Sequence, residues 1–125
     1  MVIALDPNEK RPYVVIDDQK LPKEQQTVFW IKPMDYSLRA EIDDLMGIYV
    51  GKRENVGAAM AKILERCLVG WDNLKSSSGA LIPFAASPNG GASPSSLSLL
   101  KQEWRIELGA AIYAWSALSE ADAKN

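Results

Sequence analysis

Two short apolar runs near the start of the chain are rich in β-branched and aromatic residues: PYVVI at 12–16 and TVFWI at 27–31. Runs of this length and composition are typical of β-strands. The stretch between them is polar and contains Pro22, and Pro33 follows the second run. Because proline cannot donate a hydrogen bond to a neighbouring strand, Pro33 should end the second strand. The pattern therefore predicts a β-hairpin within residues 1–33.

Apolar residues at spacings of three and four predict two amphipathic helices within residues 34–70. The first helix should begin near Asp35 or Ser37, because either side chain can accept a hydrogen bond from a free N–H of the first turn. It should end by Gly47 or Gly51. Its apolar face is formed by Leu38, Ile42, Leu45, Met46 and Tyr49.

The second helix is expected to run from about Asn55, a suitable N-cap residue, to about Val69. Gly70 fits the left-handed position that ends many helices, because glycine adopts a positive φ without steric cost. The apolar face of this helix is formed by Val56, Met60, Ile63, Leu64, Cys67 and Leu68.

Residues 71–96 are predicted to be rich in loops, because SSSG and AASPNGGASPSS consist mainly of serine, glycine, proline and alanine. The ALIPF segment between them fits either a short strand or an extended stretch tucked into the core. A loop as long as the second one is usually mobile or ordered by a partner, and we expect it to be flexible. Four residues are expected to anchor the chain around these loops: Gly70, Trp71, Leu74 and Phe84.

A long final helix is predicted from about residue 97 to about residue 118, and it carries two apolar stripes. The first stripe consists of Leu97, Leu100, Trp104, Leu108, Ala111 and Trp115. The second stripe, on roughly the opposite side, consists of Leu99, Ile106, Ala110, Tyr113 and Ala117. A surface helix needs only one stripe, so the second should lie either against another layer of the domain, such as the hairpin, or against another molecule.

These elements predict one α+β domain, an N-terminal β-hairpin packed on a small bundle of about three helices. The length of 125 residues suits a single domain with a modest core. The formal net charge is -2 and the basic residues form no block, so no nucleic-acid partner is expected. Because no apolar run could span a bilayer and residues 1–12 lack a basic leader, we expect a cytoplasmic protein without a membrane partner.

The sequence offers little for catalysis, metal binding or cofactor binding. Histidine is absent and Cys67 is the only cysteine, which removes the usual nucleophile–base pairs and zinc-ligand clusters. Cys67 lies on an apolar helix face, which favours a buried structural thiol. A dyad of Lys75 with a serine at 76–78 is the weaker alternative to an ordinary loop. We therefore predict a protein that is not an enzyme, with no catalytic residue, no metal site and no cofactor.

Four tryptophans are many for a chain of this length, and three of them are best explained as core residues: Trp71, Trp104 and Trp115. Aromatic and large apolar residues outside the core are enriched at protein–protein interfaces. We therefore predict a partner-binding surface formed by Trp30, Leu99, Ile106 and Tyr113.

Five short motifs follow one another along the chain: LDPNE at 5–9, LPKEQQTVF at 21–29, GWDNL at 70–74, LIPF at 81–84 and ALSEADAKN at 117–125. Together they resemble small proteins from the virion-morphogenesis gene block of tailed bacteriophages. Among these, the arrangement is most similar to tail assembly chaperones, with GW-x-N after a helix, then G…PF, then a final helix. The resemblance covers most of the chain.

This resemblance implies binding without catalysis. A tail assembly chaperone coats an aggregation-prone tape-measure protein until tube subunits replace it. The implied partners are therefore a tape-measure protein, the tail tube or neighbouring virion subunits in the host cytoplasm, and a homo-oligomer is left open. The second stripe of the final helix could supply the apolar surface. The alternative is a structural subunit of the tail, baseplate or head–tail region that stays in the virion.

Overall fold

The computed structural model describes residue 6, residues 8–47 and residues 56–124, with side chains as far as Trp115. Three strands and four α-helices lie within these ranges, in the chain order β1 (Arg11–Tyr13), β2 (Val28–Ile31), α1 (Tyr36–Met46), α2 (Val56–Cys67), β3 (Leu68–Asp72), α3 (Pro94–Leu97) and α4 (Gln102–Lys124). Two 3-10 turns, Ile16–Asp18 and Lys23–Gln25, shape the connection between β1 and β2.

The three strands form one antiparallel sheet in the order β1-β2-β3, and with the helices this confirms the predicted α+β class. Tyr13 lies opposite Phe29, and Phe29 lies opposite Trp71. The hydrophobic pattern predicts the first two strands, but β1 is shorter than the predicted run at 12–16: it ends at Tyr13, and Ile16 begins a 3-10 turn. The third segment, LVGWD, has no regular alternation of buried and exposed residues, so it becomes a strand through its pairing with β2.

The limits of α1 agree with the prediction. The Asp35 carboxylate accepts a hydrogen bond of 2.7 Å from the Leu38 N–H, which caps the helix. Gly47 ends the helix in the left-handed conformation, with a φ of 58°. The helix contributes Leu38, Ile42, Leu45 and Met46 to the core. Three residues named in the predictions lie outside the described residues: Tyr49, Gly51 and Asn55.

The end of α2 differs from the prediction. This helix ends at Cys67, and β3 begins at the next residue. Gly70 is therefore a strand residue. Gly70 is not among the residues with a positive φ, so the predicted left-handed cap is wrong. No glycine cap is needed, because the Cys67 carbonyl accepts a hydrogen bond of 3.0 Å from the Lys32 N–H that follows β2.

The Ser/Gly/Pro-rich segment 85–93 supplies further donors to the end of α2. The N–H of Ala92 donates to the Leu64 carbonyl at 3.1 Å, and the Ser87 hydroxyl donates to the Glu65 carbonyl at 3.3 Å. Both carbonyls belong to the last turn of α2, where the carbonyl oxygens find no N–H donor within the helix itself. The segment is therefore a cap for α2, a function that its composition does not indicate.

The predicted final helix consists of two elements. Residues 94–97 form the short helix α3, and α4 starts only at Gln102 and continues to Lys124, beyond the predicted end. Ser96, which is 1 % exposed, holds α3 to the preceding segment. Its hydroxyl donates to the Ala85 carbonyl at 2.8 Å and accepts from the Ala85 N–H at 3.0 Å.

Candidate partner-binding surface

The face of α4 that packs on α2 is part of the core. Gly109 lies against Met60, and a Cβ at position 109 would overlap the Met60 Sδ. The missing side chain therefore lets the two helices approach closely. Leu108, Ile112 and Trp115 on this face are buried, so they are not available to a partner.

The opposite face of α4 is exposed along three successive turns. Ile106, Ala110 and Ala114 are all exposed. Their spacing of four places them in one row along the helix, and we call this row the outer stripe. It contains two members of the predicted second stripe and shows that the hairpin does not cover them.

A groove of about 300 Å³ adjoins the outer stripe between α2 and α4. Its wall on α2 contains small residues, and a Cβ at Gly57 would meet no atom within 4 Å. The lining residues are Gly57, Met60, Ala61, Gln102, Arg105 and Ile106. A groove of this kind, formed between two helices and containing apolar side chains, can accept a helix of another protein.

One flank of α4 is fastened to α1. The Tyr113 hydroxyl donates a hydrogen bond of 2.6 Å to the Asp43 carboxylate. The Arg39 guanidinium lies over the Tyr113 ring, 5.2 Å from its centre. Burial, and then the hydrogen bond to Asp43, raise the pKa of Tyr113. The phenol is thus neutral at physiological pH and serves a contact within the domain.

The other flank of α4 is fastened to the hairpin. The Glu107 carboxylate accepts hydrogen bonds from the Tyr13 hydroxyl at 2.8 Å and from the Ile16 N–H at 2.9 Å. Burial, and then the contact with Glu107, raise the pKa of Tyr13 to about 12. The Trp104 indole N–H donates to the Asp17 carboxylate at 2.9 Å. With both flanks engaged, the exposed apolar side chains of α4 between Gln102 and Trp115 lie in the outer stripe.

The four residues predicted to bind a partner fall into two groups. Leu99 and Ile106 are exposed, by 52 % and 36 %. Trp30 and Tyr113 are half-buried, and each donates a hydrogen bond within the chain. The partner of Trp30 is the Asp72 carboxylate at 2.8 Å. The structure therefore places Ile106 in the outer stripe but engages Trp30 and Tyr113 in internal contacts.

Three of the four predicted anchor residues lie in or against the core. Trp71 is 7 % exposed and Leu74 is 8 % exposed, while Phe84 is half-buried against the same cluster. The rings of Trp71 and Phe84 meet edge to face with centres 5.0 Å apart. Leu81, in contrast, is 67 % exposed, so the LIPF segment is held by alternate residues rather than by its whole length.

Residues that the sequence reasoning missed define much of this region. Ile112 is fully buried although it belongs to neither predicted stripe. Its spacing of four from Leu108 is the signal that could have identified it. Gly109 and Gly57 were further signals, since a glycine inside a helical pattern often marks a close approach or an open surface. Ala114 extends the outer stripe by one turn and carries too little hydrophobicity to stand out.

A cavity of about 260 Å³ lies where the 15–27 segment meets β3 and α4. Several of the polar groups around it hydrogen-bond within the chain. The Thr27 N–H donates to the Asp18 carboxylate at 3.0 Å, and the Thr27 hydroxyl donates to the Asn73 carbonyl at 3.0 Å. The Asn73 amide donates to the Gln26 carbonyl at 3.1 Å. These bonds hold the turn around Asn73, whose φ is 63°, so Thr27 and Asn73 serve the fold.

The nucleophile candidates are also engaged in the fold. Cys67 is buried, and burial raises the pKa of its thiol to about 12, so the thiolate is scarce at neutral pH. The hydroxyl groups of Ser76 and Ser78 hydrogen-bond each other at 2.8 Å. Within residues 8–47 and 56–115, no group of three or more acidic or cysteine side chains is placed to hold a metal ion.

Comparison of the chain with protein-family models, with curated proteins and with solved structures finds no match. The fold and the surface thus define the class, an α+β protein with an exposed apolar helix face. None of the described helices has the length and hydropathy that a membrane span requires.

Proposed function

We propose that this protein is a non-catalytic bacteriophage assembly protein, similar to tail assembly chaperones, which binds a tape-measure protein through the outer stripe and the adjoining groove. The observation that carries the proposal is the row of exposed apolar residues on α4 beside a groove of about 300 Å³. The order of the short motifs along the chain supports the phage context and the class of partner.

An amphipathic helical segment is the occupant that suits the groove. Ile106 and Met60 offer apolar contact, while Gly57 and Ala61 let a second backbone come close. Removing apolar surface from water favours binding by roughly 25 cal/mol per Å². Covering such a segment would keep it from associating with other copies, and tube subunits that compete for the same segment would displace the protein.

The variant Ile106→Glu is expected to weaken binding to the tape-measure protein by about tenfold or more, since it places a charge in the centre of the apolar contact. Its free energy of unfolding should fall by no more than about 2 kcal/mol, because the side chain is 36 % exposed. Calorimetric titration with a soluble tape-measure segment measures the affinity, and urea denaturation measures the stability.

Ile16→Glu is the matched control for this variant. Ile16 is 66 % exposed and lies in the connection after β1, so the same substitution there should leave binding unchanged. Equal losses from both variants would indicate a general effect of charge, and no loss from Ile106→Glu would contradict the assignment of the outer stripe.

Mass spectrometry of purified phage particles beside infected-cell lysate tests the class of function. An assembly chaperone should be abundant in the lysate and missing from the particles. A fixed copy number in the particles would contradict the chaperone proposal and would favour a structural virion subunit, with the outer stripe as a contact between subunits.

A further inference from the structure

A second pocket, of about 260 Å³, lies at the C-terminal end of α2, and none of its lining comes from α4. We call it the donor pocket. Separate segments of the chain converge there, before β1, after β2, at the start of α1, at the end of α2 and in the segment 85–93. The polar and charged lining residues are Asn8, Lys32, Asp35, Arg66 and Asn89, and Cys67 lies beside them.

Four side chains of the donor pocket carry N–H donors: Asn8, Lys32, Arg66 and Asn89. Among the described residues, none of these four side chains has a hydrogen-bond or ion-pair partner. In the cavity beside Asn73, by comparison, Thr27 and Asn73 hydrogen-bond within the chain, and Lys75 is the only cation in the lining.

The backbone brings the segments that carry the two cations together. The Lys32 N–H donates to the carbonyl of Cys67, and Arg66 is the neighbour of Cys67 in the last turn of α2. Burial has the largest effect on the pKa of the Cys67 thiol and raises it, Asp35 acts in the same direction, and the charges of Lys32 and Arg66 both act in the opposite direction. The positive charges of Lys32 and Arg66 therefore both act on the space around the Cys67 thiol.

Asn89 is held at the donor pocket by a tight turn. Its N–H donates to the Ser87 hydroxyl at 3.2 Å, and the Gly90 N–H donates to the Ser87 carbonyl at 2.9 Å. Ser87 in turn is fastened to α2 through the Glu65 carbonyl. The same segment that caps α2 thus positions a free carboxamide in the pocket.

The charge of the lining favours an anion. Lys32 and Arg66 supply two positive charges and Asp35 supplies one negative charge, so the lining carries one net positive charge. One oxygen of Asp35 already accepts the hydrogen bond that caps α1. The carboxamides of Asn8 and Asn89 can donate or accept, so the excess of positive charge is what favours an anion over a cation.

We propose that the donor pocket binds a phosphate group, either free or as the ester of a small molecule, with Lys32 and Arg66 on the phosphate oxygens. The oxygens of phosphate are strong acceptors that pair with guanidinium and ammonium groups. The amides of Asn8 and Asn89 complete the set of donors. The pocket is larger than a phosphate group, and Pro33 and Leu38 offer an apolar wall for an organic substituent.

Nuclear magnetic resonance titration of the full-length protein tests this site with inorganic phosphate, glycerol phosphate and glycerol, at constant ionic strength. Both phosphate compounds should cause saturable shifts at the amides of Lys32, Arg66 and Asn89, and glycerol should cause none. Tighter binding of glycerol phosphate would identify an ester as the ligand, and equal affinity would identify phosphate itself. Absence of saturable shifts with both compounds would overturn the proposal.

Arg66→Gln should weaken phosphate binding by about tenfold or more, because a charge-assisted hydrogen bond is lost. Lys32→Gln is the second variant if Arg66→Gln fails to fold, and it should act in the same direction. Lys20→Gln is the control, because it removes the same positive charge from an exposed lysine that lies outside the pocket. An equal loss in all three variants would show an effect of net charge and would overturn the site. The experiment uses no phage partner, so its result is independent of the proposed chaperone function.

Discussion

Truncation of Trp71 to alanine is expected to lower the free energy of unfolding by about 3–5 kcal/mol, the range for large buried aromatic side chains. Trp71 is 7 % exposed and joins the sheet to the segment that follows it. Its ring meets Phe29 edge to face with centres 6.3 Å apart, and it meets Phe84 at 5.0 Å. The truncation would empty this space, and urea denaturation followed by circular dichroism measures the loss.

Part of this loss comes from one hydrogen bond. The Trp71 indole N–H donates to the Ile82 carbonyl at 2.8 Å, so truncation leaves that carbonyl without its donor. Trp71→Phe keeps most of the ring and removes only this bond, so its loss should be clearly smaller. Trp30→Ala is the control on the sheet, since Trp30 is only half-buried. A loss below about 1 kcal/mol for Trp71→Ala, together with lost partner binding, would make Trp71 an interface residue instead.

Replacement of Gly91 by alanine is expected to lower the free energy of unfolding by about 3 kcal/mol. A Cβ at position 91 would overlap the carbonyl of Glu65 and lie 2.6 Å from the backbone N of Arg66. Because these neighbours are helix backbone, neither can turn aside as a flexible side chain would. Either the last turn of α2 or the capping segment 85–93 must move, and thermal or urea denaturation measures the cost.

Gly57→Ala is the matched control for Gly91→Ala. A Cβ at Gly57 meets no atom within 4 Å, and the residue lies in the first turn of α2. The methyl group should therefore raise stability by about 0.5–1 kcal/mol, because alanine restricts the unfolded chain more than glycine. If Gly91→Ala were as harmless as Gly57→Ala, the close contact between the capping segment and α2 would be wrong.

Sequence reasoning identified the features that depend on residues close together in the chain. Asp35 caps α1 because its carboxylate reaches an N–H three residues away, and Gly47 ends the helix because glycine adopts a positive φ. The alternation in VFWI likewise marks β2, with Phe29 and Ile31 buried. In each case the energy that decides the structure arises within one turn or one strand.

Gly70 shows where this reasoning fails. Its position after an apolar helix is that of a C-terminal cap, yet β2 offers a strand partner and Lys32 supplies a donor to Cys67. Pairing along β2 satisfies backbone groups of several residues, and a single left-handed glycine cannot match it. The stripes of the last helix were right only in part: Leu108 and Trp115 are buried as predicted, but Ile112, which belongs to neither stripe, is buried as well because α2 lies against it.

The sequence by itself determined the α+β class, the two hairpin strands and the start and end of α1, because these follow from local hydrogen bonding and from the periodicity of apolar residues. Only the tertiary structure decided that LVGWD is a strand, that segment 85–93 caps α2, and which side of α4 is exposed. The donor pocket belongs to the second group as well. Lys32, Arg66 and Asn89 are distant in sequence, and their convergence depends on backbone contacts among β2, α2 and the capping segment that no local pattern records.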